Sequence, residues 1–324
     1  MNFYPLLLGS VLKNIMWGGT RLSEEFGKGI RGEKIAEAWT LAMRPDGVCT
    51  IANGEYSGMT LDVYAKLCGM DELCGYGSSC TSFPLLVKLI DACDKLSVQV
   101  HPDDAYAKNH GLDAGKTEAW YIVDAKPGAK LVYGLKDGVA YNPQAFKTAA
   151  LEGKLEDYLN FVEVKKGDIF YIPAGLIHAI GEGILIAEVQ QNSNTTFRIY
   201  DYDRTDSSGK KRELHLDSAI EVIKPHALDG CEYEGRFSDE QYTELINSKY
   251  FGIGRLTLSA NDGRGFDSGT MYHLICTEGS ASILFNAKVY PMSKGDAYLI
   301  PAAMGYFTVF SESGAEIITA TSNV

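Results

Sequence analysis

The sequence lacks the long apolar runs, paired cysteines and excess of positive charge that mark several large classes of protein. No apolar run approaches the roughly 20 residues that a membrane-spanning helix needs, and the N-terminal segment MNFYPLLLGSVLKNIMWGG has neither a basic start nor a cleavage-like small-residue site. The seven cysteines contain no C-x-x-C pair, which argues against a disulfide framework and against a thiolate metal cage. We therefore expect an untargeted protein of the reducing cytoplasm.

The charge balance also limits the partners that we expect. A formal net charge of −12 argues against nucleic acid and anionic membrane surfaces, because both repel an acidic protein at long range. It does not exclude a small anion held by local cations. The expected partner is therefore a small molecule, and the sequence does not define the oligomeric state.

An internal repeat indicates the fold class. Residues 161–172, FVEVKKGDIFYI, alternate apolar and polar side chains around a Lys-Gly pair, and residues 289–300, VYPMSKGDAYLI, do the same. Each stretch predicts a β-hairpin with one buried face. Alignment of Gly167 with Gly295 also superposes the Asp, Ile, Pro and Ala that follow. The chain of 324 residues is long enough for two modest cores, so we expect two related all-β units.

Helical patches interrupt these units. The segment 142–160 begins with Asn142 as a helix N-cap and Pro143 at the first helical position, and Gly153 is expected to break it into two pieces. A second helix is predicted within 213–224, after a polar, exposed loop over 200–212.

One histidine lies among aliphatic residues, where a polar side chain is unusual. In GDIFYIPAGLIHAIGEG (167–183), His178 lies between aliphatic residues, whereas the second copy of the repeat has Tyr306 at that place. A lone histidine in an apolar strand is more often a core residue bonded to a backbone carbonyl than a ligand. Other ligand-type residues in the same unit change that balance.

Those residues lie in the segment 96–121. Gln99 and His101 are two positions apart, so on a strand both project from the same face, and Glu118 begins the next strand with matching parity. Two imidazoles, a carboxylate and an amide oxygen suit Zn²⁺ and tolerate Mn²⁺, Fe²⁺ or Co²⁺. We predict a zinc site. Packed or solvated roles are expected for the remaining histidines: His110, His215, His226 and His273.

At this point the sequence resembles a known family. The spacing from Gly167 through Pro173 and Gly175 to His178 resembles the second motif of the cupin superfamily of small β-barrels. FPLLVKLIDACDKLSVQVHPDD, GKTEAWY, EVQQNSNTTFRIYDYDR and MWGGTRL are similar to segments of type I mannose-6-phosphate isomerases, the short bacterial members above all. The resemblance is strong over about residues 1–215.

The resemblance implies a fold, an activity and roles for named residues. It implies a mainly β fold of two cupin-like (jelly-roll) β-barrel units with helical insertions, and a metal-dependent aldose–ketose isomerase that interconverts mannose 6-phosphate and fructose 6-phosphate through an enediol. The predicted ranges are a catalytic cupin domain over 1–205, a bridge over 206–239 and a degenerate second cupin-like domain over 240–324. One zinc ion per chain is implied, with Gln99, His101, Glu118 and His178 as ligands, Arg198 in catalysis, and Ser97, Lys116, Glu188 and Arg204 at the substrate.

Two departures from the family pattern keep alternatives open. Asn194 stands where the family usually has aspartate, and Gly115 stands where longer members have histidine. The proton-transfer base therefore remains open among His101, Glu188, Asp104 and a metal-bound water. A regulatory cupin that binds metal and sugar phosphate without turnover is the main alternative, and a metal-dependent oxygenase is a weaker one. Without the metal cluster, Arg198 would be read as a salt-bridge partner of Asp201 or Asp203.

Overall fold

The computed structural model describes residues 1–75, 82–205 and 208–323. It is mainly β, as predicted, and it divides into two compact units. Unit 1 comprises residues 1–14, 20–89 and 232–324, and unit 2 comprises residues 15–19 and 90–231. The ranges 1–205, 206–239 and 240–324 remain a prediction about domains, whereas the compact units combine segments from separate parts of the chain. No helix among the described residues is long and apolar enough to cross a membrane.

Unit 1 is built around one large antiparallel sheet. Its central strand order is β16-β17-β23-β19-β21-β1-β6, and β20, β22 and β18 extend it through pairings with β19 and with each other. The helices are α1 Arg21–Glu25, α2 Leu61–Cys68 and α3 Met70–Cys74. The strands are β1 Leu6–Gly9, β2 Val11–Lys13, β3 Glu37–Leu41, β4 Met43–Arg44, β5 Gly47–Val48, β6 Thr50–Ile51, β16 Tyr242–Asn247, β17 Phe251–Leu258, β18 Asp262–Asp267, β19 Tyr272–Phe285, β20 Lys288–Ser293, β21 Ala297–Ile300, β22 Tyr306–Ser311 and β23 Ala315–Ser322.

Unit 2 contains a five-stranded sheet of order β11-β10-β13-β8-β15 and a second set of strands of order β12-β9-β14. Strand β7, Leu85–Ala92, leads into it from unit 1. Its other strands are β8 Val98–Val100, β9 Glu118–Ala125, β10 Lys130–Leu135, β11 Leu159–Glu163, β12 Ile169–Ile172, β13 His178–Ile180, β14 Ile184–Gln191 and β15 Phe197–Tyr200. Its helices are α4 Asp104–Asn109, α5 Pro143–Leu151 and α6 Leu216–Val222.

The helices of unit 2 cover one face of the five-stranded sheet. Alternate residues such as Val98, Val100, Ala179 and Ile199 point into a hydrophobic core that they share with residues of α5 and α6. Because strand side chains alternate between faces, Ser97, Gln99, His178 and Arg198 project from the opposite face. The apolar alternation of these short strands therefore determines where the polar residues lie.

The two predicted helices are present. The Asn142 side chain caps α5 by accepting a hydrogen bond from the Ala145 backbone, and Pro143 occupies the first turn, where its missing N–H costs nothing. Gly153, at φ 72°, separates α5 from the 3₁₀ turn Leu155–Asp157, as expected. Helix α6 lies within the predicted range 213–224. The predicted loop over 200–212 includes residues 206 and 207, which lie outside the described residues.

The hairpin predictions are wrong, and the error is the same in both repeats. Strand β11 pairs with β10 and β12 pairs with β9, so the segment 161–172 crosses between two sheets instead of folding back on itself. In the second copy, β20 and β21 each pair with β19. Alternation shows which face of a strand is buried, but it does not identify the neighbouring strand.

The turn inside each copy repeats in atomic detail. Asp168 accepts a hydrogen bond from the Lys165 backbone at 2.9 Å, and Asp296 accepts one from the Ser293 backbone at 2.8 Å. Gly167 and Gly295 have φ of 91° and 92°, a left-handed conformation that favours glycine. The internal repeat read from the sequence is therefore a repeat of structure.

Candidate metal centre

Three buried side chains of unit 2 converge at one point. His101 Nε2 lies 3.1 Å from His178 Nε2 and 3.4 Å from Glu118 Oε2, and His178 Nε2 lies 3.4 Å from Glu118 Oε1. His101 is 1% exposed, and the other two are fully buried. Within the described ranges this is the one group of three or more histidine, cysteine or acidic residues with metal-binding spacing.

Strand register explains why residues far apart in sequence meet here. His178 on β13 pairs directly with Gln99 on β8, which pairs with Arg198 on β15. Directly paired residues in antiparallel strands share a face, so these three side chains form a row across the sheet. Glu118, on β9, contacts this row from the other set of strands of unit 2.

Backbone contacts orient both imidazole rings. His101 Nδ1 lies 2.9 Å from the Thr195 carbonyl oxygen, and His178 Nδ1 lies 2.8 Å from that of Leu176. A carbonyl oxygen can only accept, so each Nδ1 carries the proton and each Nε2 keeps a lone pair. Burial lowers the pKa of His101 to about 3 and also lowers the pKa of His178, so both rings are neutral near pH 7.

With both Nδ1 atoms protonated, two Nε2 lone pairs lie 3.1 Å apart, and a cation bound by both nitrogens would offset their repulsion. In tetrahedral zinc sites imidazole nitrogens lie about 2.0–2.1 Å from the ion, which places two such donors roughly 3.3 Å apart. The three separations in this group, 3.1, 3.4 and 3.4 Å, are close to that spacing. The donor set therefore fits a divalent metal ion of the zinc type.

The Glu118 carboxylate supplies the negative charge of the group. Neither of its oxygens has a directed hydrogen bond within the described part of the chain, although Lys116 Nζ lies 2.9 Å from Oε2. Burial raises the pKa of Glu118, but the adjacent Lys116 ammonium more than reverses that effect, and the net pKa lies well below its ordinary value. Glu118 is therefore an ionised carboxylate with free lone pairs.

Gln99 is placed beside this group, as predicted from its parity. Its amide Nε2 lies 3.3 Å from His178 Nε2, so the amide donates toward the ring nitrogen. A metal would be bound by the amide oxygen, which reaches the same position if the amide rotates by half a turn.

Arg198 and Ser97, predicted for catalysis and substrate binding, lie next to each other. Arg198 Nε donates to Ser97 Oγ at 3.3 Å, and Nη1 donates to the Glu213 carbonyl at 2.8 Å. Burial and the neighbouring Arg212 lower the pKa of Arg198, yet an arginine stays protonated in proteins. The guanidinium is thus a fixed positive charge in the same row as Gln99 and His178.

Arg204 belongs to an ion-pair cluster around Asp201. Its Nη2 lies 2.7 Å from Asp201 Oδ1, its Nη1 lies 3.1 Å from Asp94 Oδ2, and Arg212 Nε donates to Asp201 Oδ2 at 2.7 Å. Burial raises the pKa of Asp201, but its two arginine partners lower it overall. Asp201 therefore pairs with Arg204 and Arg212, whereas Arg198 is hydrogen-bonded to Ser97 and to the Glu213 backbone.

The side chain of Glu188, on β14, projects from the same face of the β9–β14 pair as the side chain of Trp120. It pairs with Trp120, whose indole Nε1 donates to Glu188 Oε2 at 2.9 Å. The Trp120 ring also packs edge-on against His178, with ring centroids 5.4 Å apart. Sequence reasoning missed Trp120 and Arg212. Parity would have indicated Trp120, because it lies two residues beyond Glu118 on one strand.

Gly115, one of the departures noted above, sits where a side chain would not fit. An added Cβ would lie 2.6 Å from Asp104 Oδ1 and closer still to the Asp104 backbone nitrogen. Asp104 Oδ1 also accepts hydrogen bonds from the Gly115 backbone and from Gln191 Nε2, each at 3.1 Å. The start of helix α4 therefore occupies the space that a histidine would need.

The other histidines have the packed or solvated surroundings that were predicted. His273 is buried between Thr40 Oγ1 and the Tyr298 carbonyl, and His215 accepts from the Arg198 backbone. His110 is exposed and stacks on a tyrosine, and His226 is solvated. The cysteines within the described ranges are free thiols, and Cys80 lies outside those ranges.

Fold and site together define a β-sheet protein with a buried His–Glu–His centre suited to a divalent metal. Comparison with known proteins then gives the family. The model of the type I phosphomannose isomerase catalytic domain matches residues 6–151. The chain belongs to the mannose-6-phosphate isomerase family, because it is 39% identical over 326 residues to mannose-6-phosphate isomerase ManA of Bacillus subtilis, with 98% of this chain and 99% of that protein covered.

Two further relatives agree with this assignment. The mannose-6-phosphate isomerase of Streptococcus mutans is 37% identical, and the match covers 98% of each chain. A crystal structure of the mannose 6-phosphate isomerase from Bacillus subtilis superposes with a TM-score of 0.87 at 34% identity, covering 98% of this chain and 99% of that one. The similarity therefore extends over both units.

Proposed function

We propose that this protein interconverts D-mannose 6-phosphate and D-fructose 6-phosphate through an enediol, with one zinc ion per chain. The convergence of His101, Glu118 and His178 within 3.4 Å carries the proposal, because two neutral imidazoles and an ionised carboxylate make a metal site in a family of isomerases. The names of the relatives, similar over nearly their whole length, supply the substrate. Gln99 is the proposed fourth ligand.

The reaction removes a proton from the carbon next to the sugar's carbonyl carbon and returns a proton to the former carbonyl carbon. In the same interconversion the carbonyl oxygen gains a proton and the neighbouring hydroxyl oxygen loses one, so that the carbonyl group moves by one carbon. Negative charge develops on the substrate oxygen as the proton leaves, and the barrier falls when that charge is stabilised. A bound divalent cation would polarise the substrate's oxygens. Arg198, a half-buried fixed cation on the row of Gln99 and His178, would donate hydrogen bonds to the same charge.

The phosphate would supply binding energy away from the reacting carbons. Lys116 and Ser97, both buried, are the proposed contacts closest to the metal group and to Arg198. Arg204 is a further proposed contact, since its Nη1 pairs with the half-exposed Asp94, a partner that a phosphate could replace. Glu188 is the proposed contact on the opposite strands. These local cations would let a protein of net charge −12 bind a sugar phosphate.

Metal analysis combined with a direct product assay tests the proposal. We expect one equivalent of zinc per chain, formation of fructose 6-phosphate from mannose 6-phosphate, and loss of activity on chelation that added zinc restores. A protein that is thermally stabilised by the sugar phosphate but forms no product would instead be the regulatory binder. Iron content with oxygen consumption would indicate the oxygenase. Full turnover by metal-free protein would contradict the proposal.

A further inference from the structure

One buried side chain, opposite a member of the metal group, carries an oxygen that receives no hydrogen bond from the described residues. Gln190, near the end of β14, is fully buried. Its Oε1 has no hydrogen-bond donor anywhere in the part of the chain that the structure describes. Buried side-chain oxygens are normally paired, so an orphan of this kind needs an explanation.

The orientation of the Gln190 amide is fixed by its other end. Nε2 donates to the backbone carbonyls of Gln191, at 2.9 Å, and of Ser193. Both partners can only accept, so exchanging the oxygen and nitrogen would bring three oxygens together. The orientation of the amide oxygen is therefore fixed, although no donor within the described ranges bonds to it.

Strand register places Gln190 directly opposite a member of the metal group. Gln190 pairs directly with Glu118, so the two side chains lie on the same face of the β9–β14 pair. Side chains at directly opposite positions have Cβ atoms about 4.5–5.5 Å apart, within reach of one ligand. Glu118 Oε1 and Gln190 Oε1 thus belong to directly opposed residues on one face, and neither oxygen receives a hydrogen bond from the described residues, whereas Glu118 Oε2 is paired with Lys116.

We propose that Gln190 Oε1 accepts a hydrogen bond from a hydroxyl group of the bound sugar phosphate, and that Gln190 is a substrate-positioning residue of this enzyme. The inference rests on the proposed function. A hydroxyl group is the neutral donor that a sugar brings to such a site, and its hydrogen bond satisfies the orphan oxygen on binding. A site built to bond a hydroxyl rejects analogues that lack it, because the buried acceptor is then left unpaired.

The test pairs Gln190→Met, which keeps the side-chain length and removes the acceptor, with hexose 6-phosphates that each lack one hydroxyl. Inhibition constants are measured for every analogue with the metal-loaded wild type and the variant. For one analogue we expect the wild type to bind about tenfold more weakly than the parent sugar phosphate, and Gln190→Met to show less than a twofold difference. Zinc content should stay at one equivalent. Gln144→Met, the same replacement on the exposed surface of α5, is the control and should behave as the wild type.

Equal discrimination by wild type and Gln190→Met at every hydroxyl would overturn the inference while leaving the isomerase activity intact. Failure of the wild type to bind or convert mannose 6-phosphate would instead overturn the proposed function. Should Gln190→Met not fold, Gln190→Asn keeps the amide and withdraws its oxygen by one carbon–carbon bond. It should then show reduced discrimination at the same hydroxyl, and unchanged discrimination would count against the role.

Discussion

Replacement of Lys116 by methionine separates the role of its charge from the role of its bulk. The Lys116 ammonium lies 2.9 Å from Glu118 Oε2, and both side chains are buried. At an effective dielectric constant of about 20, a pair at this distance attracts by roughly 6 kcal/mol. Removal of one partner of a buried pair costs about 3–5 kcal/mol, since the remaining charge keeps its desolvation penalty. We expect metal-free Lys116→Met to lose about that much unfolding free energy.

Metal loading should reverse most of this loss. In the metal-loaded variant the divalent cation, instead of the Lys116 ammonium, neutralises Glu118. The cation is then no longer repelled by the lysine charge. The variant should therefore bind zinc more tightly than the wild type at pH 7.5. Turnover should fall, because the proposed substrate contact is gone. Calorimetry of metal-free and loaded protein measures the first effect, and competition with a zinc chelator of known affinity measures the second.

Lys95→Met is the matched control. Lys95 Nζ lies 3.7 Å from Glu156 Oε1 with both side chains about half exposed, and such pairs contribute less than about 1 kcal/mol. If metal-free Lys116→Met is as stable as that control, or if it binds zinc more weakly than the wild type, the electrostatic account of the centre is wrong.

Three further predictions test the site and its framework. His178→Ala should lose both bound zinc and fructose 6-phosphate formation, as measured by metal analysis and product assay, and a variant active without metal would contradict the proposed centre. Gly115→Ala should lower the melting temperature, since its Cβ would press on Asp104; unaltered melting would show that helix α4 moves aside. Burial lowers the pKa of His273 to about 3, so between pH 3 and 6.5 the unfolded state binds the extra proton and stability falls on acidification. Between pH 5 and 6, His273→Gln should reduce the slope of unfolding free energy against pH by about 1 kcal/mol per pH unit. Equal slopes for the wild type and the variant would refute this. His110→Gln, the same replacement at an exposed histidine, is the control.

The parts of the site that the sequence predicted depend on short-range rules. Gln99 and His101 share a face because they are two residues apart, and Glu118 follows from its parity at the start of β9. The cap of α5 at Asn142 is equally local, because the side chain bonds a backbone nitrogen three residues on. The roles of these residues as ligands remain proposals.

The parts that the sequence did not predict depend on which strands are neighbours. The alternation around Gly167 correctly indicated strands on both sides of a turn, but the pairing of β11 with β10 and of β12 with β9 is set by contacts far along the chain. Gln190 was missed for the same reason. Its position opposite Glu118 follows from the β9–β14 register, which joins residues about 70 positions apart and leaves no local trace.

The repeated turn also shows what distinguishes the two copies. The residue paired with Ile172 is Glu118, whereas the residue paired with Ile300 is Tyr272. Tyrosine likewise replaces His178 at position 306, and the corresponding core of unit 1 is filled by apolar side chains such as Leu274, whose packing needs no ion.

The spread of the ligands along the chain sets an order of events during biogenesis. His101, just after β8, and His178, on β13, are 77 residues apart, and β9 must pair before Glu118 joins them. A fragment that ends before His178 lacks a donor, and in a longer fragment the donors meet only after the long-range strand pairing, which is slow, has formed. Metal binding is therefore expected to be a late step, one that stabilises the folded unit and does not direct its folding.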